Sequence, residues 1–224
     1  LWQAQHVELG RVLGVIEQTS VVSAGFHQQR KADVTLHLIE VDDARAFGCV
    51  PTDSEGRVTA FLEKMENPVT NQINAGCYVF NPRVISSIPL DTVVSVERET
   101  FPQLVANGAK VYAYLENAYW LDIGTPKARL KASTDIVLRT GAGLVMPGAT
   151  VDPTAQITAG SCVGRGCSVG AGSLIQGSII EAGAVIGSQV MVTNSFVAAG
   201  AVVENGAKIG SSFVTKGEIL PIPQ

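Results

Sequence analysis

A six-residue repeat runs through the second half of the sequence and constrains its fold more than any other feature. From about Leu144 onward a branched apolar residue recurs at every sixth position, apart from two steps of five. The positions are Val145, Val151, Ile157, Val163, Val169, Ile175, Ile180, Ile186, Val192, Val197, Val203 and Ile209. Three short strands per turn predict a triangular coil with these side chains inside and glycines at the corners. Twelve such positions predict four coils of parallel β-helix, roughly 20 Å tall at ~4.8 Å per coil.

The first half of the chain carries mixed periodicities instead of one repeat. Residues 9–16 follow helical spacing, and residues 34–41 alternate as a strand does. Helices are predicted over 97–106 and 126–139, each behind a capping Ser95 or Thr125. Further extended runs are predicted at 48–52, 57–64, 73–80 and 110–115. Mixed strands and helices favour a layered, Rossmann-like α/β domain over residues 1–139, followed by the β-helix over 144–224.

Composition excludes several classes of function. The net charge is −4, and the longest run of basic residues is Arg30-Lys31, so no nucleic-acid partner is predicted. No stretch approaches the roughly 18 apolar residues of a membrane span, and no secretory leader is recognisable, which predicts a cytoplasmic location and no membrane partner. The four cysteines show no CxxC spacing and are predicted to be reduced and structural.

Three short segments combine polar side chains with the ends of predicted strands, where α/β sheets present their ligands. Glu63 and Lys64 pair a carboxylate that accepts from sugar hydroxyls with an ammonium that neutralises phosphate. Asn74 and Gly76 offer a carboxamide and a backbone that a ligand could approach closely. Asp122, ahead of a glycine turn, suits a Mg²⁺ ligand.

These segments also carry a family resemblance. FLEKMENP, INAGCYVF, VSVERETFPQL and YWLDIGTPKARLKAS, in this order and ahead of hexapeptide repeats, resemble the sugar-1-phosphate nucleotidyltransferases, or NDP-sugar pyrophosphorylases. The resemblance is closest to the mannose-1-phosphate guanylyltransferase type and spans about residues 34–224. The repeats resemble the left-handed β-helix of hexapeptide-repeat proteins. The implied fold is therefore part of a nucleotidyltransferase domain followed by a left-handed parallel β-helix.

The resemblance implies an activity and a set of site residues. The family transfers a nucleotidyl group from an NTP to a sugar 1-phosphate, releases pyrophosphate and uses Mg²⁺. Mannose 1-phosphate and GTP are the implied substrates. The implied substrate-binding residues are Gly48, Glu63, Lys64, Asn74 and Gly76. Lys64 and Asp122 would be catalytic, and Asp122 would be one of two aspartates that hold Mg²⁺.

Two departures from the family pattern affect this expectation. Met65 stands where a proline usually follows the Glu-Lys pair, a mild change. The glycine-rich loop for the triphosphate and the first metal-binding aspartate have no counterpart, and residues 1–25 match the family poorly. Because the chain begins at Leu1 without methionine, we expect the missing parts upstream and little activity from this chain by itself.

Other interpretations of the same residues stay open. Glu63 and Lys64 could be a solvated strand face, Asp122 a turn residue, and Glu97 and Arg98 a solvated first helical turn. The whole chain could be a non-catalytic regulatory or scaffold subunit. A hexapeptide acyltransferase is disfavoured because no histidine lies within the repeats. The open ends of the β-helix also predict homo-oligomers or packing on the first domain.

Overall fold

In the computed structural model, which describes residues 23–62 and 64–223, the chain divides into two units between Trp120 and Leu121. The helical spacing predicted at residues 9–16 lies outside the described residues. The division falls ahead of the helix predicted over 126–139, so that helix belongs to the second unit. The domain boundary predicted between residues 139 and 144 stays a prediction.

A three-stranded sheet organises the first unit. Its strands are β1 (Val34–Glu40), β2 (Gln72–Phe80) and β3 (Val111–Glu116), in the order β2-β1-β3. β1 pairs antiparallel with β2 and parallel with β3. Leu36 and Leu38 on this central strand are completely buried. The strands predicted at 34–41, 73–80 and 110–115 are therefore confirmed.

Short helices and turns surround the sheet. Residues 23–30 are helical (α1) and Ala44–Ala46 form a 3-10 turn. A four-residue helix α2 (Pro82–Ile85) follows β2. A π-helical turn (Val96–Thr100) continues into α3 (Phe101–Ala106). In their described residues, the runs predicted at 48–52 and 57–64 make only isolated bridges, such as Cys49 with Leu62.

The predicted helix caps are confirmed where the structure describes them. Ser95 accepts a hydrogen bond from Arg98 N at the start of the π-helical turn, and Thr125 accepts one from Ala128 N at the start of helix α4 (Pro126–Leu138). The core of the first unit centres on Phe101, which is completely buried beneath the sheet strands. The packing of Phe101 fixes the π-helical turn that precedes α3 against β2.

The second unit consists of α4 (Pro126–Leu138) and a coil of short strands. The strands are β4 (Leu144–Val145), β5 (Thr150–Val151), β6 (Gln156–Ile157), β7 (Cys162–Val163), β8 (Ser168–Val169), β9 (Leu174–Gln176), β10 (Ile179–Ile180), β11 (Val185–Ile186), β12 (Met191–Thr193), β13 (Phe196–Val197), β14 (Val202–Val203), β15 (Lys208–Gly210), β16 (Ser212–Val214) and β17 (Ile219–Pro221). They form three sheets, and every third strand from β4 to β16 pairs in parallel. The result is the predicted parallel β-solenoid of four coils, consistent with a left-handed β-helix.

The register of the coils confirms the sequence repeat. Val145, Val163 and Ile180 pair in one column, so the first coil takes 18 residues and the next takes 17. Nine of the twelve predicted positions, from Val163 onward, are buried in one core. Val145 is 44% exposed because it stands on the outermost coil described.

Buried serines line one corner of the solenoid and form a ladder. They are Ser161, Ser178, Ser195 and Ser212, spaced 17 residues apart. Ser178 Oγ accepts from Ser195 N at 3.1 Å, and Ser195 Oγ accepts from Ser212 N at 3.0 Å. Three of the hydroxyls also donate to a carbonyl two residues earlier, as Ser178 does to Gln176 O at 2.8 Å, whereas Ser161 donates to Ile175 O at 3.1 Å. The ladder satisfies main-chain groups where the strands turn.

None of the described helices has the length and apolar character needed to cross a membrane.

Candidate functional site

A cleft of about 200 Å³ opens beside the sheet of the first unit. Its walls come from the loop after the 3-10 turn, from β2 and from the π-helical turn. The lining residues are Phe47, Gly48, Cys49, Val50, Phe61, Leu62, Asn74, Glu97, Arg98 and Pro102. Gly48 and Asn74, two residues expected in the site, therefore line the same cleft.

A β-bulge shapes the β2 wall of this cleft. Leu36 pairs with Tyr78 and Leu38 pairs with Asn74, so β2 uses two more residues than β1 over this stretch. In a regular strand, residues four apart are separated by about 13 Å. The bulge instead brings Asn74 Nδ2 to 2.5 Å from the Tyr78 hydroxyl. It therefore places two polar side chains of β2 in direct contact at the cleft.

Gly76 lies inside the bulge with a φ of +82°. Its N–H donates to Asn74 Oδ1 at 3.0 Å, and Trp120 Nε1 donates to the neighbouring Ala75 carbonyl at 3.1 Å. A Cβ at position 76 would meet no atom within 4 Å, so the positive φ is what selects glycine here. A direct role for Gly76 in binding remains a prediction.

The π-helical turn brings Glu97 into the same group. Glu97 Oε1 accepts from Asn74 Nδ2 at 2.5 Å and from the Tyr78 hydroxyl at 2.9 Å. The interpretation of Glu97 as part of a solvated first turn missed both bonds. The available signal was that VSVERETFPQL stood among the family-like segments although it contained no predicted site residue.

The electrostatics of this group keep the tyrosine protonated. Burial, together with the adjacent Glu97 carboxylate, raises the pKa of Tyr78 to about 12 and outweighs the opposing hydrogen bond from Asn74. The phenol therefore donates to Glu97 at any physiological pH. Arg98 lines the cleft next to Glu97, so the wall carries charges of both signs.

The predicted Glu-Lys pair is described only in part. Lys64 is exposed, two residues beyond Leu62 in the cleft wall. Glu63 lies outside the described residues. Gly48 is buried with a φ of +72°, a conformation that favours glycine at this point of the wall.

Asp122 belongs to the second unit and is exposed ahead of α4. Its Oδ1 accepts from Gly124 N at 2.8 Å. Within residues 23–62 and 64–223, no group of three or more His, Cys, Asp or Glu side chains could enclose a metal ion. Mg²⁺ commonly binds through one or two carboxylates while substrate phosphates and waters complete its shell, so the Asp122 carboxylate fits it as one ligand.

A protein-family model and several known proteins are similar to this chain. A family model described as nucleotidyl transferase matches residues 16–138, more than half of the chain. A mannose-1-phosphate guanylyltransferase of Mycobacterium tuberculosis is 52% identical over 159 residues, which are 66% of this chain and 44% of the relative. A mannose-1-phosphate guanylyltransferase catalytic subunit beta of Drosophila pseudoobscura pseudoobscura is 34% identical over 154 residues, 64% of this chain and 39% of the relative. The chain thus spans less than half the length of these relatives.

The first unit is an α/β domain with a polar cleft, and a parallel β-solenoid follows it in the chain. This combination places the protein in the class of α/β enzyme domains joined to hexapeptide repeats. The chain belongs to the nucleotidyl transferase family. The resemblance stated from the four sequence segments is confirmed.

Proposed function

We propose that the chain supplies the sugar-phosphate-binding part of a nucleotidyltransferase that makes an NDP-sugar. The preferred reaction is the formation of GDP-mannose and pyrophosphate from GTP and mannose 1-phosphate. The observation that carries the proposal is the hydrogen-bonded group of Asn74, Tyr78 and Glu97, of which Asn74 and Glu97 line the cleft. The 52% identity with the mycobacterial relative supports the choice of sugar and nucleotide.

The cleft offers the groups that a sugar phosphate needs. Carboxylate oxygens of Glu97, and of Glu63 as the family resemblance implies, would accept from sugar hydroxyls. The Lys64 ammonium and the Arg98 guanidinium would neutralise the phosphate. Gly48, Asn74 and Gly76 would shape the pocket around the ring.

The chemistry then requires positioning more than proton transfer. A phosphate oxygen of the sugar 1-phosphate attacks the α-phosphorus of the NTP in line, the new P–O bond forms, and the bond to pyrophosphate breaks. Lys64 would hold the attacking phosphate and offset its charge as it approaches the triphosphate. Asp122 would hold Mg²⁺, which when bound neutralises phosphate oxygens.

The proposal also includes an interaction partner of the chain and its cellular compartment. The apolar Val145, 44% exposed on the outermost coil, supports a second copy of the chain as a partner. Light scattering that finds only monomers over a range of concentrations would rule this out. The cytoplasm is the proposed compartment.

Calorimetric titration with mannose 1-phosphate tests the binding role directly. We expect saturable binding to the chain, weakened about tenfold or more by Lys64→Ala, because a phosphate loses its charge-assisted partner. Lys208→Ala, an exposed lysine of the solenoid, is the matched control and should bind as the parent does. No binding by the folded chain, or equal binding by the two lysine variants, would contradict the proposal.

A pyrophosphate-release assay then separates an enzyme from a scaffold subunit. It uses GTP, mannose 1-phosphate and Mg²⁺ with the chain by itself and with the chain joined to an N-terminal segment that carries the glycine-rich loop implied by the family resemblance. Turnover by the joined protein supports the enzyme. Sugar-phosphate binding without turnover in either form would favour the regulatory alternative.

A further inference from the structure

We propose that Tyr78 is a positioning residue, whose hydroxyl holds the Glu97 carboxylate in the orientation that receives a sugar hydroxyl. The inference rests on the proposed function and adds a residue to it. Among the described residues that line the cleft are Asn74 and Glu97 but not Tyr78. Tyr78 would therefore act through Glu97 and not through contact with the sugar.

The Tyr78 ring is held in place by packing against two other aromatic rings. It packs edge-on against Phe101, with ring centroids 5.0 Å apart, and against Phe80 at 6.1 Å. Phe101 is completely buried, so the platform beneath the tyrosine belongs to the core of the unit. A hydroxyl on a ring held this way has little freedom to follow a moving partner.

The hydrogen bonds around this hydroxyl form a closed triangle. Asn74 Nδ2 donates to the Tyr78 oxygen at 2.5 Å and to Glu97 Oε1 at 2.5 Å. The Tyr78 hydroxyl donates its single proton to the same Oε1 at 2.9 Å. Both donors therefore converge on one carboxylate oxygen.

The two carboxylate oxygens of Glu97 therefore differ in the number of hydrogen bonds that they accept. Oε1 accepts two hydrogen bonds, whereas within residues 23–62 and 64–223 Oε2 has none. Because Glu97 lines the cleft, Oε2 is the oxygen left for a ligand hydroxyl. A preorganised acceptor of this kind binds more strongly than one that must first be oriented.

The same hydrogen bonds also fix the Asn74 side chain. Its two amide hydrogens are both used, and its Oδ1 already accepts from Gly76 N. Asn74 thus joins the bulge to the π-helical turn, and Tyr78 supplies the rigid third corner. Removing the Tyr78 hydroxyl would leave Glu97 with one donor and freedom to rotate.

Tyr78→Phe tests this directly because the ring and its packing remain. Mannose 1-phosphate affinity is measured for the parent, Tyr78→Phe, Glu97→Gln and the double variant. We expect Tyr78→Phe to weaken binding about tenfold, but to have little further effect once Glu97 is changed, since its effect passes through Glu97. Tyr114→Phe, on β3, is the matched control and should bind as the parent does.

A second readout works without any ligand. The side-chain amide resonances of Asn74 in a ¹H–¹⁵N spectrum should shift in Tyr78→Phe and stay in place in Tyr114→Phe. If the parent fails to bind mannose 1-phosphate, the proposed function fails, and these resonances alone decide the role of Tyr78. Equal weakening by Tyr78→Phe with and without Glu97, or unmoved Asn74 resonances, would overturn the positioning role.

Discussion

Asn74 Nδ2 lies 2.5 Å from Glu97 Oε1, although 23 residues separate the two in sequence. The bond joins the bulge of β2 to the π-helical turn that precedes α3. The cleft therefore depends on two irregular pieces of backbone held together by one amide. Charge at position 74 should be a sensitive probe of the site.

Asn74→Asp is expected to weaken mannose 1-phosphate binding by more than about tenfold at neutral pH. The change places a second carboxylate against Glu97, and like charges at that distance repel and push the side chains apart. Calorimetric titration measures the effect. Asn71→Asp, the same change at an exposed position just before β2, is the control. Equal affinities for the two variants would show that the Asn74–Glu97 contact does not support binding.

Gly76→Ala is expected to destabilise the first unit by about 1–2 kcal/mol and to weaken sugar-phosphate binding. There is room for the added methyl group, so the cost comes from holding alanine at positive φ. Gly25→Ala is the control because its site in α1 is equally open and has no positive φ. Trp120 packs against buried residues of the first unit, so its fluorescence follows unfolding of that unit. If both variants unfold alike, the φ argument fails.

The inward-facing positions of the repeat could be predicted residue by residue from the sequence, whereas the contacts that form the cleft could not. Inward positions of a solenoid are set by a fixed period, so Val163 and Ile180 could be paired from spacing alone. Asn74 and Gly48 could be selected by motif, but their contact with Glu97 depends on a bulge and a π-helical turn. Neither irregularity has a periodic signal, and Glu97 on a helical turn looks like any solvated acid.

The first unit should lose stability in acid through Asp33. Burial raises the pKa of Asp33, but the hydrogen bonds from Arg83 and from Lys110 N, the latter at 2.9 Å, outweigh it, so the pKa lies below its usual value. A carboxylate with a lowered folded pKa stabilises the fold above the unfolded pKa of about 3.9, and that contribution disappears as the pH falls through the folded pKa. Stability should therefore fall below about pH 4.

Asp33→Asn tests this linkage by fluorescence-monitored urea unfolding between pH 3 and pH 7. The variant should be about 1–3 kcal/mol less stable at pH 7, because an ionic hydrogen-bond acceptor is lost, and less dependent on pH below 4. Asp42→Asn, the same change at an exposed neighbouring position of the first unit, is the control. Parallel pH profiles for the parent and Asp33→Asn would contradict the assignment to Asp33.

Ser178→Ala should destabilise the solenoid by about 1–3 kcal/mol, because the change removes an acceptor and a donor from a fully buried corner. Ser195 N would lose its partner at 3.1 Å, and Gln176 O would lose the Ser178 hydroxyl at 2.8 Å and keep only Asn194 N. Ser168→Ala on β8, where the serine is only half-buried, is the matched control. Thermal unfolding of the solenoid, followed by far-UV circular dichroism while tryptophan fluorescence tracks the first unit separately, measures both variants. A melting temperature for Ser178→Ala equal to that of Ser168→Ala would show that the serine ladder is not needed to hold the coils together.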